Sequence, residues 1–136
     1  MEFTITPSTG VPIYQQLAEQ ISAGVARGRL SADERLPSVR ELSQALVVNP
    51  NTVARAYTEL EREGTLYTRP GMGVFVSKSP VPLAPSERRE RLSAALDPVL
   101  VAAVRYGSSL EELVAILEER ASQFRWNRAG AETTIK

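Results

Sequence analysis

A mainly α-helical fold with one small β-hairpin is what three features of the sequence predict. Between Leu36 and Glu63, two capped amphipathic stretches follow each other across a joint of about three residues. Directly after them, Leu66-Tyr67-Thr68 and Val74-Phe75-Val76 are β-prone runs around Arg69-Pro70-Gly71-Met72-Gly73, where two glycines supply positive φ for a turn. Past a proline-rich stretch, apolar residues recur at helical spacing twice more.

At the start of the chain, Phe3-Thr4-Ile5 alternates and reads as a short edge strand or a draped arm, followed by a Pro7-Ser8-Thr9-Gly10 turn. From Pro12 to Arg27, Ile13, Leu17, Ile21 and Val25 recur every four residues, and Gly28 ends the pattern as a left-handed cap. This is the first core helix. Its Tyr14 reads as a packing or amphipathic surface residue. In the turn at Ala32-Asp33-Glu34, Asp33 is the residue that tolerates the left-handed region.

Ser38 and Glu41 have the Ser-x-x-Glu spacing in which side chains and backbone N–H groups satisfy each other, and Val39, Leu42 and Leu46 follow on one face. Asn49-Pro50 opens the next helix, because Asn caps and Pro fits a first turn whose N–H is unpaired anyway. That helix runs to Glu63 and stops at Gly64. Val53, Ala56, Tyr57 and Leu60 form its buried side, and Asn51, Thr52, Arg55, Thr58, Glu59 and Arg62 face the other way. Amides, hydroxyls and guanidinium on that face suit base edges and phosphates. The two helices and the hairpin together make a winged helix-turn-helix domain, with Arg69 expected at the tip of the wing.

Pro80, Pro82 and Pro85 mark a linker over residues 80–85, closing a first domain at residues 1–79. From Ser86 to Tyr106, Leu92, Leu96, Val99 and Ala103 share a stripe. Asp97-Pro98 either bends this helix or begins a new one. Ser109-Leu110-Glu111-Glu112 is a second capping box, opening a helix to about Phe124 with Leu110, Leu113, Leu117 and Ala121 on its apolar face. Two such helices cannot cover that much apolar surface alone. Residues 86–126 are therefore expected to be a short α-helical dimerisation segment that pairs with a second copy through Leu92, Leu96, Val99, Leu110, Leu113 and Leu117. Residues 127–136 are expected to be a disordered tail.

Leu36-Pro37-Ser38-Val39-Arg40-Glu41-Leu42, then Asn49-Pro50-Asn51-Thr52-Val53-Ala54-Arg55-Ala56-Tyr57, then Leu60-Glu61-Arg62-Glu63-Gly64 resembles the GntR family of bacterial transcription regulators. The Asn-Pro-Asn version on a short chain resembles its YtrA-type branch, which favours one kinked helix through Pro98. The resemblance implies DNA contacts at Ser38, Arg40, Asn51, Thr52, Arg55 and the wing from Arg69 to Gly73. Asn49, Arg69, Gly71 and Gly73 complete the candidate set with these. It further implies a repressor acting as a homodimer on a palindromic double-stranded DNA operator, with transporter operons as the targets. A small-molecule effector is left open and its identity unknown.

Sixteen basic residues balance sixteen acidic ones, eight of each falling on either side of Ser79, so bulk charge argues for no partner and local arrangement must carry nucleic-acid binding. Cysteine and histidine are absent, which removes thiolates, imidazole bases and the usual zinc ligands. No catalytic residue, cofactor or metal is expected. Glu111-Glu112 and Glu118-Glu119 diverge around their helix and read as a solvated face rather than an acid–base pair. Met1-Glu2-Phe3 lacks the features of a signal peptide, and no apolar run reaches the ~20 residues of a membrane span, so a cytoplasmic protein without membrane contact is expected. The alternative is a winged-helix module that binds protein and not DNA; it would expose an apolar patch on the second helix of the pair.

Overall fold

The computed structural model describes residues 2–78 and 83–126. The chain divides into two units, one built from residues 2–78 with 125 and 126, the other from residues 83–124. The first three linker positions, 80–82, and the whole 127–136 tail lie outside the described residues.

In the first unit the N-terminal residues form a draped arm, not a strand. Two glutamines one helical turn apart supply what a neighbouring strand would have supplied. The buried Gln16 side chain accepts from the Thr6 N–H at 2.8 Å and donates to the Thr6 carbonyl at 3.0 Å. Gln20 brackets the backbone of Thr4 in the same way, at 2.9 and 2.6 Å. Phe3 and Ile5 are thereby laid against the core, ahead of a 3-10 turn at Pro7–Thr9.

Helix α1 spans Ile13–Ala26 and is closed by Gly28 at φ 77°. It buries Leu17 and Ile21 completely, while Ile13 and Val25, at the ends of the expected stripe, are half-buried. Helix α2, Val39–Leu46, has the complete Ser38–Glu41 capping box. Val47 turns the chain in the left-handed region at φ 55°, and α3, Pro50–Arg62, starts under an Asn49 cap. Val53, Ala56, Tyr57 and Leu60 of α3 are all buried, as the helical wheel requires.

Strands β1, Leu66–Arg69, and β2, Gly73–Val76, pair antiparallel with Tyr67 opposite Phe75 and Arg69 opposite Gly73. Arg69 therefore closes the ladder, and the tip belongs to Pro70, Gly71 and Met72; the expected position for Arg69 is corrected by this one extra rung. The segment before α2 adds a further row beside β2. Asp33 donates its N–H to Val76 O, Val76 to Glu34 O and Leu36 to Val74 O, with an isolated bridge between Arg35 and Phe75. Leu17, Ile21, Leu30, Leu36, Leu42, Val53, Ala56, Tyr57, Leu60, Leu66 and Val76 form one core.

In the second unit, α4 spans Pro85–Arg105 as one helix with Pro98 inside it, losing one backbone hydrogen bond. Pro85, assigned to the linker from the sequence, is its first residue, the helical position where proline is best tolerated. Helix α5 spans Leu110–Ala121, three residues shorter at its end than expected, with turns at Ser122 and Gln123. Ser109 caps α5 by accepting from the Glu112 N–H at 3.1 Å, and among the described hydrogen bonds only this half of the box is made. No residue of α4 or α5 is buried.

Candidate nucleic-acid interface

Local capping chemistry sets the two helices that present the candidate residues. Ser38 donates its N–H to Glu41 Oε1 at 2.9 Å, and its hydroxyl accepts from the Glu41 N–H at 3.0 Å. The Ser38 N–H, with its hydroxyl next in importance, holds the Glu41 carboxyl below the usual carboxylate range. In the first turn of α2, Arg40 is exposed, and among the described residues its guanidinium has no hydrogen-bond or ion-pair partner.

At the head of α3, Asn49 accepts from the Asn51 N–H at 2.8 Å, so its side-chain oxygen serves the cap. Asn51 is exposed and Thr52 half-exposed in the first turn. Arg55 follows on the exposed side with its guanidinium 3.8 Å from the centre of the Tyr14 ring, and its Nη2 donates to the Tyr14 hydroxyl at 3.2 Å. A cation held over a ring face is constrained in direction while most of its five N–H groups stay open. Farther along, Glu59 pairs with Arg62 at 3.4 Å, Glu61 accepts from the Thr68 hydroxyl, and a groove of about 520 Å³ between α1 and α3 is edged by Glu19, Glu59 and Glu63. Negative charge therefore gathers at the C-terminal half of α3, away from Asn51 and Thr52.

On the hairpin, Arg69 lies over Phe75 at 4.7 Å and Tyr67 at 5.5 Å from the ring centres and donates to the Tyr67 hydroxyl at 3.0 Å. Tyr67 in turn donates to Asp33 Oδ1 at 2.6 Å, and that bond chiefly holds the Asp33 carboxyl low and the Tyr67 hydroxyl high. Asp33 has φ 64°, the left-handed conformation expected of it. Gly71 and Gly73 also have positive φ, 77° and 124°. At Gly73 a Cβ would stand 2.8 Å from Arg35 Nε, which donates to the Met72 carbonyl at 3.1 Å, so this glycine is needed for close approach as well as for its dihedral.

Ser38 meets Glu41, Asn49 meets Asn51, and Arg55 and Arg69 each rest on a tyrosine; no described contact joins Arg40, Arg55 and Arg69 to one another. Sequence reasoning missed the roles of Tyr14, Arg35 and Tyr67. Tyr14 lies 41 residues from Arg55, and no periodicity encodes such a pair. On α4 and α5, Leu92, Leu96, Val99, Leu110 and Leu117 are exposed, Leu110 at 65%, while Leu113 is half-buried. No helix among the described residues is long and apolar enough to cross a membrane.

Residues 13–76 match the profile of bacterial regulatory proteins of the gntR family. The HTH-type transcriptional repressor YtrA of Bacillus subtilis is 34% identical over 85% of this chain and 88% of its own length. A crystal structure described as a transcriptional antiterminator from Listeria monocytogenes EGD-e has a TM-score of 0.74 at 31% identity, covering 89% of this chain and 90% of that one. The AraR DNA-binding domain in complex with operator ORX1 matches 57% of this chain and 96% of its own at 30% identity, with a TM-score of 0.50.

Proposed function

The chain belongs to the gntR family of bacterial regulatory proteins, in its YtrA-type branch, and we propose that this DNA-binding transcription regulator acts as a repressor, binding a palindromic operator as a homodimer. The observation that carries the reading is α3. It is capped by Asn49 and Pro50, buries its apolar side, and presents Asn51, Thr52 and Arg55 on the exposed side between α2 and a hairpin wing. Homodimerisation is supported by the exposed apolar residues of α4 and α5, repression by the name of the Bacillus relative. Control of transporter operons follows from the YtrA-type resemblance, and the site of action is the cytoplasm. If a small-molecule effector binds, we place it at the dimer seam, where the exposed apolar residues of α4 and α5 would be covered.

Selection of bound fragments from a random duplex pool tests this. A two-fold symmetric sequence is expected, with half-sites about one helical turn, ~34 Å, apart. Log affinity should fall with log salt at a slope of about −0.9 per phosphate neutralised. Arg55→Ala should reduce discrimination against altered bases by about 1 to 3 kcal/mol, whereas Arg40→Ala should weaken all sequences alike. No enriched site and no salt slope would sink the reading and leave the protein-binding module in its place.

A further inference from the structure

The wing arginine is oriented from outside the wing. Arg69 stands over two aromatic rings that face each other across the strands, Tyr67 and Phe75, whose centres are 5.7 Å apart at an interplanar angle of 24°. Stacking alone leaves the guanidinium free to slide and rotate over the rings. The Tyr67 hydroxyl removes that freedom, since Arg69 Nη2 donates to it at 3.0 Å. A phenol has one proton, and here that proton goes to Asp33 Oδ1 at 2.6 Å, which turns the oxygen lone pairs toward Arg69.

Asp33 is itself anchored. Its N–H is bonded to Val76 O at 2.8 Å, and its other carboxylate oxygen lies 3.7 Å from Lys78 Nζ. It holds φ 64°, where an L-residue other than glycine is strained and where a side chain must contribute something to be worth having. The turn before α2 thus fixes the hydrogen-bond polarity of a tyrosine 34 residues away, and that tyrosine fixes the arginine.

We propose that Asp33 and Tyr67 are positioning residues that preset Arg69 for contact with the DNA backbone or a groove edge, through the relay from Arg69 to the Tyr67 hydroxyl to the Asp33 carboxylate. This rests on the reading that Arg69 touches DNA. A preset guanidinium surrenders less rotamer freedom when it binds, and it retains four of its five N–H groups for the duplex. The relay makes a prediction opposite in sign to plain electrostatics. Asp33 is an exposed anion next to a surface that meets a polyanion, so its removal by charge alone should tighten DNA binding. If it positions Arg69, removal weakens binding.

The test uses the full chain and the duplex selected from the random pool, with operator and scrambled duplex titrated in parallel. Asp33→Gly and Tyr67→Phe should each weaken operator binding by about two- to ten-fold, the equivalent of one hydrogen bond's net contribution. Asp33→Asn, which keeps an acceptor oxygen and tolerates the left-handed region, should restore binding to within about two-fold. Melting temperature should change little for Asp33→Gly, because relief of the strained dihedral offsets the lost Tyr67 bond and the looser unfolded chain. In an Arg69→Ala background the Tyr67→Phe effect should vanish. Operator binding by Asp33→Gly and Tyr67→Phe as tight as wild type, with Arg69→Ala weakened, would overturn the relay alone. Arg69→Ala binding as wild type would overturn the wing contact and the relay with it.

Discussion

Helices α3 and α4 have the same kind of apolar stripe and meet opposite fates. Along α3, residues at three- and four-residue spacing are all buried, whereas α4 buries nothing, and Leu92 remains 59% exposed. The difference lies in what each helix is packed against. Helix α3 has α1 on one side, α2 on another and the hairpin following it, so its stripe is covered from within its own unit. Fully burying one such side chain stabilises by about 1.5–3 kcal/mol, and α4 has not yet gained that inside this chain. A stripe at helical spacing therefore shows that a face must be covered; it does not say by which chain.

The sharpest way to break this comparison is to cut the chain after Ser79. The first unit should remain folded, because its core from Leu17 to Val76 is complete; among described bonds it loses the one from Arg125 N to Ala26 O. It should also be monomeric. If α4 and α5 hold two reading heads together, separating them costs the avidity of a linked pair, about 10² to 10⁴ in operator affinity. Sedimentation and operator titration of both forms decide this: a truncated chain that still dimerises, or a full-length chain that is monomeric at micromolar concentration, would put the interface elsewhere.

Matched truncations in the two helices sharpen it further. Leu60→Ala in α3 opens a cavity in a closed core and should lower stability by about 2–5 kcal/mol. Leu96→Ala in α4 should leave the thermal unfolding of the first unit unchanged and weaken self-association instead. A denaturation midpoint that responds equally to both substitutions would mean that the two units share one cooperative core.

What could be read from the sequence divides along similar lines. Helix ends were legible wherever capping is local: Ser38 with Glu41, Asn49 with Pro50, and Gly64 past α3 all act within four residues. Burial along α3 was legible because 3.6-residue periodicity is local too. Four features were not legible: the Gln16 and Gln20 brackets on the arm, the 33–36 row beside β2, Arg55 on Tyr14, and Arg69 bound through Tyr67 to Asp33. Each joins positions from 10 to 41 residues apart, or backbone to backbone across the fold, and depends on where the core places two surfaces. The candidate DNA-facing residues were legible by type and by helical face. The aromatic supports that aim two of the arginines were not.

Alkaline titration probes the closed unit through Tyr57, whose hydroxyl donates to the Pro37 carbonyl at 2.7 Å. Burial, helped by the negative charge of Glu41, pushes this phenol from 10 up to about 12. Because the folded state favours the protonated form, the contribution is complete below pH 10 and is lost as pH rises from 10 toward about 12. Tyr57→Phe should cost about 0.5–1.5 kcal/mol at neutral pH through the lost hydrogen bond and should flatten the decline in that window. A wild-type decline of the same steepness as the variant's would remove Tyr57 as its source.

The smallest expected effect sits in the turn between α2 and α3. Val47 has φ 55° and ψ 52°, a genuine outlier for a β-branched residue, and the residue is 89% exposed, so it gains little from packing in return. The left-handed conformation costs an L-residue roughly 1–2 kcal/mol, and asparagine escapes part of that through local hydrogen bonding. Glycine would relieve more strain but would also loosen the unfolded chain, offsetting about 0.5–1 kcal/mol. Val47→Asn should therefore stabilise the first unit by about 0.5–1 kcal/mol and raise its melting temperature by a few degrees, with self-association through α4 and α5 unchanged. Operator titration of the same variant completes the test. If stability rises while operator affinity falls, the valine is retained for contact with DNA; if the melting temperature falls instead, the turn is not strained in the way its dihedrals indicate.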